Sequence, residues 1–91
     1  MTKIKSHLGK ILSSETKVEL LNLFNQNPSI IDTVDGIAVR IGKTGSAIKN
    51  DVEELEKVGF LRKKHIGHQI VFKVDPIAQK ELQMLLEEYK K

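Results

Sequence analysis

Residues 33–61 read TVDGIAVRIGKTGSAIKNDVEELEKVGFL, and the way this stretch folds decides the rest. Thr33 is a natural N-cap, and Ile37, Ala38 and Ile41 follow it at helical spacing. Gly42 suits the left-handed residue that closes a helix. After Lys43, Thr44 is again an N-cap, opening a longer helix over 44–57 with Ile48, Val52 and Leu55 facing inward. Gly59 closes it. Two helices joined by a turn of three or four residues containing glycine make the helix-turn-helix pattern.

Upstream, KIKSHLGKIL places Ile4, Leu8, Ile11 and Leu12 at helical spacing and predicts an amphipathic helix within residues 1–12. Ser13 or Ser14 then caps a second helix, ETKVELLNLFNQ, whose inner stripe reads Val18, Leu21 and Phe24, with Leu20 widening it. Asn25 to Pro28 ends that helix. Ser29–Asp32 reads as a short strand or an irregular turn.

Downstream of Gly59 the period changes from 3.6 to 2. FLRKKH and QIVFKV are two strands around a turn at Ile66-Gly67. In the second, Ile70, Phe72 and Val74 fall on one face, with Gln69, Val71 and Lys73 on the other. Asp75 caps a last helix that has Pro76 in its first position and the stripe Ala78, Leu82, Leu85, Leu86 and Tyr89. The expectation is one α+β domain over residues 1–91, mainly helical with a small hairpin. Its core is 14–74, and a helix over 75–91 completes it.

Composition narrows the function classes. Ninety-one residues hold one modest core, too little for a full nucleotide-binding α/β domain. The apolar share of 40% and charged share of 30% are those of a globular protein. No apolar run approaches the ~20 residues of a membrane helix, and the N-terminus lacks a signal-peptide core, so a cytoplasmic location is expected. With no cysteine, thiolate metal centres and disulfides are excluded. The net charge of +3 is unevenly placed: Lys3, Lys5 and Lys10 in the first segment, Arg62–Lys64 in the hairpin, and an acidic stretch over 13–42 between them. Such patches fit a polyanion partner, or simply a solvated lysine-rich surface.

Three short motifs lead elsewhere and fail in context. Residues 65–68 spell HIGH, the ATP-binding signature of the class I aminoacyl-tRNA synthetases, but here it forms a hairpin tip with no lysine signature downstream. His65 and His68 flank the turn, yet zinc takes four ligands or three plus water, and the hairpin holds no carboxylate. The GKT at 42–44 lacks the first glycine of a P-loop, since Ile37 stands at that position. No acid–base pair or activated nucleophile is legible. No enzyme activity, cofactor or metal is expected.

From Ser14 to Val74 the chain resembles the winged helix-turn-helix transcription regulators, most closely the ArsR-like branch. The residues that carry the resemblance are ILSSETKVELLNLF, the 33–61 stretch with Ala38 and Gly42 at tight contacts, and the wing RKKHIGHQIVFKV with Gly67 at its tip. Two departures stand out. The Asn27–Asp32 connection is a few residues longer than usual, and the cysteine-containing metal-sensing motif is absent, so metal-responsive repression is not implied.

The resemblance implies double-stranded DNA as partner, with the recognition helix 44–57 in the major groove and the wing 60–74 on the backbone or minor groove. The implied DNA-binding residues are Lys43, Thr44, Gly45, Ser46, Lys49 and Asn50 on the helix. On the wing they are Arg62, Lys63, Lys64, His65 and His68. A homodimer is implied too, with Ile4, Leu8, Ile11, Leu82, Leu85, Leu86 and Tyr89 as surplus apolar surface for the interface. The alternative is a winged helix used for protein–protein contact, favoured by the acidic load of Asp51, Glu53, Glu54 and Glu56.

Overall fold

The computed structural model describes residues 4–89, with Tyr89 described for its backbone alone. Its helices are α1 (Leu8–Ile11), α2 (Glu15–Gln26), α3 (Val34–Arg40), α4 (Gly45–Lys57) and α5 (Pro76–Tyr89). Its strands are β1 (Ile31–Asp32), β2 (Leu61–Ile66) and β3 (Gln69–Val74), and a 3₁₀ turn over Lys5–His7 precedes α1. The sheet is antiparallel in the order β1-β3-β2, so Ile31–Asp32 takes the strand reading.

The caps follow the sequence. Ser14 Oγ accepts from Lys17 N at 3.0 Å, Thr33 Oγ1 from Gly36 N at 3.1 Å, and Asp75 Oδ2 from Ala78 N at 2.8 Å. Gly42, Gly59 and Gly67 have φ of +70°, +89° and +61°. That left-handed backbone strains any residue with a Cβ, which is why glycine marks the two helix ends and the hairpin tip. Thr44 is extended as a cap must be, but its hydroxyl meets Ser46 Oγ at 3.3 Å instead of a backbone N–H.

The core gathers Leu20, Phe24, Ile37, Ile48, Val52, Leu55 and Phe60, each fully enclosed, with Leu61, Phe72, Val74, Ala78 and Leu82 beside them. Burial of each such large side chain contributes roughly 1.5–3 kcal/mol, the force that packs short, weakly helical segments. α5 is further tied to the end of α2, where Gln79 Nε2 donates to the Phe24 carbonyl at 3.4 Å and Gln83 pairs with Asn25.

Five expectations need correction. The first helix is only the 3₁₀ turn and a four-residue α1, because Ser6, His7 and Gly9 are weak helix formers in a short segment; Lys3 lies outside the described residues. Val18 is 38% exposed; the inner stripe of α2 is Lys17, Leu20, Leu21 and Phe24. Ile70 is exposed near the hairpin tip, where it faces the open groove beside α4, while Val71 on the opposite face is buried. The hairpin turn is Gly67-His68, one residue later than expected, since Ile66 still pairs with Gln69.

The fifth concerns the apolar surface assigned to a dimer. Ile4, Ile11 and Leu82 are enclosed in the chain's own core, and Leu8, Leu85 and Leu86 are half-covered against it. The Tyr89 side chain lies outside the described residues. Among the described residues, the large apolar side chains that α5 leaves open are Ile77 and Met84.

Candidate nucleic-acid interface

The turn between α3 and α4 is closed by its backbone, with Gly42 N bonded to the Val39 carbonyl and Lys43 N to the Ala38 carbonyl at 2.9 Å. This fixes the entry of α4. Asp35 of α3 lies directly over Gly45, where an added Cβ would collide with its carboxylate. Asp35 is exposed, so its carboxylate can swing aside, and Gly45 leaves room for it in the position it takes here. Beyond it Ser46, Lys49 and Asn50 stand exposed along one side of α4. Lys49 and Asn50 have no hydrogen-bond or ion-pair partner among the described residues.

Register distributes the wing residues. Pairing of Lys63 with Phe72 and His65 with Ile70 puts these four on the face toward α4, whereas Arg62, Lys64 and Val71 share the opposite face. Between α4 and the wing runs a groove of about 370 Å³ lined by Lys49, Lys63 and His68 together with Asp35, Glu53 and Glu56, over a floor including Val34, Ile70 and Phe72. Three sequence-predicted residues thus converge. Two others are held elsewhere. Arg62 pairs with Asp75 at the base of the wing, and Lys43 Nζ faces Glu19 Oε1 at 3.5 Å.

Lys17 escaped the sequence reading, since a lysine inside a helical stripe gives no apolar signal. Its ammonium is nearly enclosed and forms an ion pair with Glu54, reaches Asp51 at 4.0 Å, and sits 3.4–3.5 Å from Ser13 Oγ and the Lys10 carbonyl. Ser14 Oγ also donates to Asp51 at 3.2 Å. The Lys17 hydrogen bond and charge hold the Glu54 carboxyl below its ordinary value. Two of the four acids on α4 are thereby turned back onto α2, where Lys17 offsets one of their two charges. The remaining two, Glu53 and Glu56, face the wing groove.

No family model matches the sequence, and no curated protein does. Solved structures do. The homodimeric winged helix-turn-helix DNA-binding domain from Mycobacterium bovis, described as a possible ArsR-family transcriptional regulator, superposes with a TM-score of 0.72 at 18% identity, over 93% of this chain and 76% of that one. An ArsR-like transcriptional regulator from a Rhodococcus species gives 0.69 at 19% identity, over 93% and 77%. The fold is that of the ArsR-family winged helix regulators. The antimony-specific transcriptional repressor AntR adds a TM-score of 0.65 at 25% identity, covering 89% of this chain and 75% of its own. Within this winged helix, α3 and α4 are the helix-turn-helix pair and β2–β3 the wing. None of its helices, among the described residues, is long and apolar enough to cross a membrane.

Proposed function

We propose that the protein is a sequence-specific, double-stranded DNA-binding transcription regulator that acts as a dimer. The observation that carries this reading is the exposed, unpartnered Lys49 of the recognition helix sharing a groove with Lys63 and His68 of the wing, with the equally exposed and unpartnered Asn50 beside it on α4. Lys49 donates to guanine O6 or N7 or to phosphate, and Asn50 pairs bidentately with adenine. Lys63, Lys64, His65 and His68 lay positive or donor groups along the phosphate backbone, with Ser46, Thr44 and Gly45 at the helix N-terminus close to it. Lys43 and Arg62, each held by an acid, act chiefly by positioning the helix and the wing.

One such domain spans few base pairs, and a two-fold dimer reading two half-sites supplies the rest. Homodimerisation of the Mycobacterium bovis domain supports this. The surface that serves it here is the outer stripe of α5, Ile77 and Met84, next to Lys5 and Leu85.

A second reading, a winged helix for protein contact, draws on Asp35, Glu53 and Glu56 in the groove. A fluorescence-anisotropy titration of mixed-sequence duplex at about 50 and 200 mM salt separates the two. A dimer making ~6–10 phosphate contacts loses at least about a thousand-fold in affinity between those conditions. The loss shrinks in a Lys49→Ala, Lys63→Ala double variant. Absence of binding at low salt selects the protein-contact reading.

A further inference from the structure

The recognition helix carries an acid that its fold does not use. Of the four carboxylates on α4, Asp51 and Glu54 are bound by Lys17 and Ser14, and Glu56 is half-buried toward the base of the wing. Glu53 is exposed and has no hydrogen-bond or ion-pair partner among the described residues. It lines the same groove as Lys49, Lys63 and His68.

We propose that Glu53 is a specificity-determining residue: it selects a cytosine beside the base pair read by Lys49 and lowers affinity for all other DNA. The inference rests on the DNA-binding reading above. A carboxylate only accepts hydrogen bonds. In the major groove guanine offers two acceptors and thymine one, so each repels it; adenine sets an acceptor beside its one donor. The cytosine amino group is the donor it meets without conflict. Where no such donor stands opposite, the fixed negative charge faces phosphate and acceptor edges and weakens binding. Four residues along a helix advance about 6 Å, so the base met by Glu53 is one or two base pairs from that met by Lys49. The unpaired acid thus sharpens discrimination because it disfavours non-specific binding.

The test selects binding sites from a randomised duplex library with the wild-type protein, Glu53→Gln and Glu53→Ala. The affinity of each for mixed-sequence duplex is measured in parallel. Glu53 is exposed and unpartnered, so both variants keep the fold. The expected result is a wild-type site with cytosine in each half-site, where replacing the cytosine weakens wild-type binding about five-fold or more. Both variants lose that preference and bind mixed-sequence duplex about two- to five-fold more tightly. An unchanged selected site with unchanged mixed-sequence affinity overturns the role of Glu53 and leaves DNA binding standing. Failure of the wild type to bind any duplex at low salt overturns both.

Discussion

At the scale of single residues, the informative side chain is a lysine in the wrong place for a pattern reading. Lys17 falls on the core stripe of α2, nearly enclosed, and its ammonium meets its counter-charges because Asp51 and Glu54 come to it from α4. The acids that looked hostile to a polyanion are partly a docking device for the recognition helix. Glu54, held below its ordinary value, contributes stability that is present above the unfolded glutamate value and is lost as pH falls through the lower folded one. Lys17→Met keeps the buried stem and removes the charge. Denaturant titrations at pH 6 and pH 3 should show wild type losing more stability than the variant over that interval. Equal losses would mean that the pair adds nothing to folding. From sequence alone Lys49 and Asn50 were named through the family resemblance, whereas the ion pairs of Lys17 depend on a second helix and were not legible.

At the scale of elements, strand alternation divides the basic run of the wing. Lys63 faces the groove with Lys49, while Lys64 shares the far face with Arg62 and Val71. Lys63→Ala should therefore lower the slope of log affinity against log salt by about one, with Lys64→Ala having the smaller effect. Parallel anisotropy titrations measure this, and equal slopes for the two variants would place the wing edge-on to the backbone. The alternation itself was readable from the sequence. The helical caps and glycine ends were readable for the same reason: each is a local device, set by a few neighbouring residues. The first helix was misread because its apolar spacing is helical while its hold on that conformation comes from packing.

At the scale of the whole molecule, the apolar residues divide into those that stabilise the monomer and those left open for the second copy of the proposed dimer. Ile11 is 1% exposed and Met84 60% exposed. Ile11→Ala should cost about 2–5 kcal/mol in chemical denaturation. Met84→Lys should leave the monomer's stability within about 0.5 kcal/mol and raise the dimer dissociation constant in sedimentation equilibrium. An unchanged dimer would move the interface away from the outer stripe of α5. The sequence by itself determined the order of elements, the caps at Ser14, Thr33 and Asp75 and the glycine helix ends, because these follow from local periodicity and backbone chemistry. Only the tertiary structure decided that Ile4, Ile11 and Leu82 close the chain's own core, that Lys17 draws two acids of α4 onto α2, and that Lys43 and Arg62 are tied to carboxylates. Each of those outcomes depends on which surfaces meet across the chain, and periodicity says which residues turn inward without saying what they turn toward.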